Sequence, residues 1–358
     1  METLRAIDGD GHLFEDAEAI CRFLPSPYRE AGPWPMNRLF PPLDHFHVQI
    51  GKLHPEAFGG GKPVGPREWA GFMSDAGLAA AVLYPTWGLA YGKHVDLDWA
   101  IAVTRAYNDW LHHTYLAVDA RFKGMALIPI QDPPAAAAEL RRVVKELGMC
   151  GAMLASVNAG GHLGSKVLWP VYEEADRLGC AIAIHGGCHS GFGFDDMNVY
   201  APVHALGHPF GQMSCFASVV FNGLMDRFPG VRWGFLEGGV AWLLLVLERF
   251  DRSYATHVAY DPRSELIPLR KGERVSDYVR RHIKEGRIFV GCEGEEPDLA
   301  HAVRSVGHEC FFFSSDFPHE VSAAMCKHEM AELTESTELT GADKQGILAG
   351  NASRFYRL

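Results

Sequence analysis

Four motifs in this 358-residue chain carry side chains able to hold a metal ion or move a proton. They are Asp8-Gly9-Asp10-Gly11-His12, Ile184-His185-Gly186, Leu236-Glu237-Gly238-Gly239 and Ser314-Ser315-Asp316-Phe317-Pro318-His319. In an extended segment Asp10 and His12 point to the same side, because side chains alternate with period two. A lone D-x-H, or one His after an apolar run, is common without any metal. Brought to one cavity, however, these imidazoles and carboxylates would make a divalent-metal site with nitrogen and oxygen ligands. The joint pattern at the first, fifth and eighth apolar runs carries that inference.

Each motif closes a short run rich in Val, Ile, Phe and Ala. Eight such runs read as strands, at 4–7, 79–84, 124–128, 150–154, 180–184, 231–236, 287–290 and 310–313. Segments of helical period lie between them, at 96–116, 135–148, 169–178, 210–228, 239–254, 297–306 and 343–356. In the second of these, Asp132-Pro133-Pro134 supplies a cap and a proline start, and Gly148 the stop. Strands alternating with helices place the chain in the α/β class, and eight strands suggest closure into a (β/α)8 TIM barrel, one domain over 1–358. An open doubly wound sheet competes, but no G-x-G-x-x-G stands at the first strand–helix turn.

In a barrel the loops that follow strands share the C-terminal face, where active sites sit. Long loops are expected there: a lid-like insertion at about 15–66, and further stretches over 186–209 and 256–275. Trp34, Phe40, Phe46, Phe58 and Trp87 are too apolar for bare surface, so the insertion reads as a lid or pocket wall.

Composition narrows the partners. The 33 Lys and Arg face 44 Asp and Glu, a formal net charge of −11 that disfavours nucleic acid and anionic membrane surfaces. The run 240–247 is too short for a membrane span. Charges in residues 1–8 fall where a signal peptide needs an apolar stretch. Eight Cys with no C-x-x-C pair read as reduced thiols. The expectation is a cytoplasmic protein acting on a small molecule, with self-association into a homo-oligomer left open.

The D-x-H after the first strand, the His after the fifth, S-D-F-P-H after the eighth and the tail Ile347-Leu348-Ala349-Gly350-Asn351-Ala352 resemble the amidohydrolase-related family. Asp226-Arg227-Phe228-Pro229-Gly230-Val231, leading into Glu237-Gly238-Gly239, adds to the match. More narrowly, the chain is similar to the branch with aminocarboxymuconate-semialdehyde and dihydroxybenzoate decarboxylases. The resemblance implies that Asp10, His12, His185 and Asp316 hold one divalent metal and that Asp316 can relay a proton. Two departures stand out. Many relatives begin with H-x-H, where this chain has Asp10. The decarboxylases usually carry His after strand six, where this chain has Glu237. Glu237 then serves as an acid/base group, as a ligand to a second metal, or as a carboxylate that orients a neighbour. A cluster so rich in oxygen ligands suits iron or manganese as well as zinc, as one or two ions per chain.

Four functions are compatible with these residues. Hydrolysis of a bulky, largely apolar small molecule by a metal-activated water leads, with Glu237 or His208 assisting proton transfer. An O2-dependent non-haem di-iron monooxygenase follows narrowly, favoured by Asp10, Glu237 and Asp316 together. Non-oxidative decarboxylation of an aromatic or unsaturated acid is third, set back by the missing His at strand six. A ligand-binding barrel without catalysis is last, because the metal ligands are intact. The catalytic candidates are Asp316, Glu237, His208 and His319, with His208 opening the helix after the long fifth loop. His189, His204 and Glu293 are lesser candidates, and His45, His47 and His54 read as loop residues. Glu15 is expected to brace the strand-one ligands.

Overall fold

The computed structural model describes residues 5–31, 39–43, 63–158, 161–258 and 267–358. Eight parallel strands form one sheet in chain order: β1 (Ile7–Leu13), β2 (Ala80–Pro85), β3 (Phe122–Leu127), β4 (Gly151–Ala155), β5 (Ala181–His185), β6 (Arg232–Phe235), β7 (Ile288–Cys292) and β8 (Phe311–Phe313). They are buried almost throughout, as strands covered on both faces must be. The main helices are α1 (Pro66–Ala76), α2 (Leu97–Leu111), α3 (Pro133–Lys145), α4 (Trp169–Leu178), α5 (Tyr200–Phe221), α6 (Ala241–His257), α7 (Val275–Lys284), α8 (Leu299–Val306), α9 (Ala323–Glu335) and α10 (Asn351–Tyr356). This is the expected (β/α)8 barrel.

Local chemistry sets several of these boundaries. The Asp96 carboxylate accepts the Trp99 amide at 2.8 Å and starts α2. Asp132 does the same for Ala135 at 3.1 Å, with Pro133 and Pro134 in the first turn of α3. Gly179, at a φ of 58°, ends α4.

Three expectations need correction. The first strand begins and ends later than 4–7, so Asp10 and His12 lie inside β1 and not beyond it. Pairing with β2, resumed after an irregularity between Asp8 and Gly11, carries the extended backbone to Leu13. Helix α5 starts ten residues before the expected 210, because Pro209 is accommodated within it. A proline lacks the amide that continues a helix and so reads locally as a break. The fifth loop is correspondingly shorter. In the insertion, Trp34, Phe46 and Phe58, with His45, His47 and His54, lie outside the described residues; Phe40 is buried, and Trp87 is 43% exposed.

The barrel closes between β1 and the chain that follows β8. The Asp316 amide donates to the Asp10 carbonyl at 3.0 Å, and the His12 amide donates to the Phe317 carbonyl at 2.7 Å. Beneath them the buried Asp8 carboxylate accepts the Ser315 amide at 2.9 Å and the Ser315 hydroxyl at 2.6 Å. Outside β1, Trp69 packs so tightly on Gly11 that a Cβ there would come within 2.3 Å of its ring. Asp8→Ala would leave two buried Ser315 donors without an acceptor. Each such loss costs about 1–3 kcal/mol, so this variant should be less stable by about 3 kcal/mol in denaturant unfolding; an unchanged midpoint would show that the seam does not depend on Asp8.

Candidate metal centre

The C-terminal strand ends bring Asp10, His12, His185 and Asp316 together. His12 Nε2 lies 3.6 Å from Asp10 Oδ1 and 3.4 Å from Asp316 Oδ1. His185 Nε2 lies 3.3 Å from Asp10 Oδ2. Each imidazole is oriented from its other nitrogen: His12 Nδ1 donates to the Pro85 carbonyl at 2.8 Å, and His185 Nδ1 to the Gly186 carbonyl at 3.0 Å. That leaves both Nε2 lone pairs directed inward, the arrangement by which outer partners orient metal-binding histidines. Asp10 Oδ1, His12 Nε2 and His185 Nε2 are all buried without a hydrogen-bond partner. Buried polar atoms are rarely left so unless something else binds them.

These atoms fall into two compact ligand groups that share His12. One comprises Asp10, His12 and His185, and the other His12, Asp316 and His319. Mixed imidazole and carboxylate donors of this kind fit a divalent cation.

Charge in the cluster is balanced internally. Burial keeps His12 well below the usual imidazole range, and His319 and His185 push the same way, so His12 is a neutral donor. Burial also raises Asp10, despite His185 beside it. His185 itself loses to burial but gains more from Asp10 and Glu237, and stands at about 9. A cation bound at these atoms would compete with protons.

The other candidates form pairs around this core. His319 Nδ1 donates to Asp316 Oδ1 at 2.8 Å, and its Nε2 meets the Thr86 hydroxyl at 2.9 Å. Its ring stacks on His12 at 4.2 Å. Burial opposes its charge, yet Asp316 raises it to about 9. Glu237 Oε2 lies 2.9 Å from His208 Nδ1 and 3.3 Å from His185 Nδ1. It faces the outer nitrogen of His185 and belongs to neither ligand group. Burial opposes ionisation of Glu237, but His208 and His185 hold it well below the usual carboxylate range.

Asp316 and Glu237 share a backbone peculiarity: both have a φ of 56°, in the left-handed region. Side chains there cost roughly 1–3 kcal/mol and concentrate at functional sites. The conformation turns each carboxylate from its strand end toward the histidines.

His208 occupies the interior of α5 and not its start, and it is buried. Its ring approaches Gly186 so closely that a Cβ there would come within 2.1 Å. His189 and His204 flank it, with ring centroids at 4.8 and 5.8 Å. Glu293 takes part in neither ligand group. Glu15 does not touch the strand-one ligands; its carboxylate accepts the Thr86, Trp87 and Gly88 amides at 3.2, 3.1 and 2.7 Å and fixes the turn after β2. Two contributors escaped the sequence reading. Asp8 was visible in the first motif, but its partner Ser315 is remote in sequence. Thr86 had a signal, as a polar residue directly after a strand.

A family model described as Amidohydrolase matches residues 7–358. A 2-amino-3-carboxymuconate-6-semialdehyde decarboxylase from Dictyostelium discoideum is 24% identical over 72% of this chain and 67% of its own length. A gamma-resorcylate decarboxylase from Rhodococcus jostii is 27% identical over 72% of this chain and 78% of its own. The fold also matches a 5-carboxyvanillate decarboxylase from Novosphingobium aromaticivorans, solved with manganese and 4-hydroxy-3-methoxy-5-nitrobenzoic acid. That likeness has a TM-score of 0.74 and 18% identity, and covers 99% of this chain and 96% of the other.

Replacing a ligand should cost more than the roughly 10–100-fold loss typical of an outer partner. His185→Ala and Asp316→Ala should each bind metal at least about 100-fold more weakly and keep the barrel's circular dichroism. Full metal retention by either variant would overturn the ligand assignment.

Proposed function

The chain belongs to the amidohydrolase family, and from that premise we propose that it is a metal-dependent decarboxylase that removes CO2 from an aromatic or unsaturated acid without oxidation. The two curated relatives described above bear decarboxylase names, which supports this reading over the hydrolysis placed first from sequence. The reaction converts a carboxylate and one proton into C–H and CO2, so the site must anchor an anion and deliver a proton to carbon.

The observation that carries the proposal is the Glu237–His208 pair. The resemblance expects an imidazole after strand six. Glu237 stands there in this sequence, and His208 brings an imidazole from α5 to within 2.9 Å of its carboxylate. The pair is thus placed to pass a proton to the carbon that loses CO2. Thr86 and Asp316 fix both nitrogens of His319, so His319 contributes positive charge for an anionic substrate. When bound, the metal polarises substrate oxygens as a Lewis acid. Manganese, iron and zinc all suit the donor set, and manganese has the added support of the structural neighbour. The exposed Trp87 beside the β2 end favours a bulky, flat substrate.

A second reading is an O2-dependent di-iron monooxygenase. His12 Nε2 can serve one ion, so a second iron would need Glu237 as a ligand beyond the two groups that share His12.

Gamma-resorcylate and 5-carboxyvanillate are suitable first substrates, assayed for CO2 release with oxygen excluded and with metals counted by elemental analysis. One divalent ion per chain with anaerobic CO2 release is expected. Two irons per chain with O2 uptake would establish the second reading instead, and ester or lactone cleavage without CO2 would restore the hydrolase. Glu237→Gln should retain its metal while turnover falls by roughly 10²–10⁴-fold, the usual worth of a general acid–base group. Loss of metal from that variant would make Glu237 a ligand.

A further inference from the structure

A second set of charged groups lies at the opposite, N-terminal end of the barrel. There a cavity of about 300 Å³ opens between the starts of β3 to β6 and the segment after α10. Lys123, Arg232 and Arg357 all line it. Arg232, the first residue of β6, is only 8% exposed. Its Nε donates to the Phe355 carbonyl at 2.6 Å and its Nη1 to the Gly179 carbonyl at 2.7 Å. Its Nη2 is buried with no partner among the described residues.

Among the described residues no carboxylate side chain balances this guanidinium. The charged or ionisable groups acting on it are Arg357, which repels it, and the thiols of Cys180 and Cys150. Burial, with Arg357, pushes Arg232 down to about 10. A buried charge without a counter-charge is among the costliest arrangements in a protein interior.

A purely structural Arg232 would staple the end of α4 to α10 through its two carbonyl bonds. That role leaves Nη2 unexplained. Arg357 ends α10 as its left-handed cap, with a φ of 59°. Its guanidinium packs on Gly179, where a Cβ would approach Nη2 to 2.7 Å. The cap thus sets a second guanidinium beside the first.

We propose that this cavity is a binding site for a small oxyanion, a phosphate or carboxylate group, held by Arg232 Nη2 and Arg357 with Lys123 at its edge. Guanidinium forks match the oxygen spacing of such groups and bind them through paired charge-assisted bonds. The site is separate from the metal centre. Tyr356 lines the cavity and donates to the Gly9 carbonyl at 2.6 Å, while the Tyr84 hydroxyl meets it at 2.7 Å; the Tyr84 ring stands between this pair and His12.

Calorimetric titration of the full-length, metal-loaded protein with sulfate, at ionic strength held constant with chloride, tests the proposal. Saturable binding of one sulfate per chain is expected, weakened at least tenfold in Arg357→Gln, whose side chain is exposed enough for the fold to survive. A parallel titration with formate separates the sources: sulfate alone marks a phosphate-type site, and formate as well marks a carboxylate site. No saturable binding to the unaltered protein, or equal binding by Arg357→Gln, would overturn the assignment.

Discussion

The seam between β1 and the chain after β8 is the constraint on which the rest depends. It joins the two ends of the barrel through the Asp10 carbonyl, the His12 amide and the Asp8–Ser315 bonds. Those same residues carry or flank three of the four proposed ligands. Closing the barrel and assembling the metal centre are therefore one event. His12 reaches ligand distance of Asp316 only when segments some 300 positions apart have docked. Main-chain bonds then help to hold that spacing.

Electrostatics makes the same cluster costly to bury and effective once buried. Carboxylates and imidazoles are interleaved, so each desolvated charge has an opposite neighbour at about hydrogen-bond distance. The pairs differ in kind. Asp10 and His185 belong to one ligand group, whereas His208 and Glu237 pair outside both. Proximity without ligation suits proton transfer beside a metal.

Much of this was legible in the sequence, for a physical reason. Barrel topology sends every strand end to one face, so residue type at a strand end already predicts a shared site. Asp10, His12, His185 and Asp316 were found that way. What failed to show was contact that no local pattern encodes. Pro209 disguised the interior of α5 as a helix start and hid the depth of His208. Glu15 was linked to its sequence neighbours, yet its partners are three main-chain amides after β2. Arg232 falls within the sixth apolar run, and its lack of a counter-charge among the described residues is visible only in three dimensions. The reaction itself was less legible still, since one donor set serves hydrolysis, decarboxylation and oxygenation.

The central claim is that one divalent ion sits between His12, His185, Asp10 and Asp316 while Glu237 remains outside its coordination sphere. Anomalous diffraction from crystals of the metal-loaded protein, collected at the manganese, iron and zinc edges, addresses it directly. The account predicts a single peak within bonding distance of both Nε2 atoms, with Glu237 still paired to His208. A second peak ligated by Glu237 would contradict it.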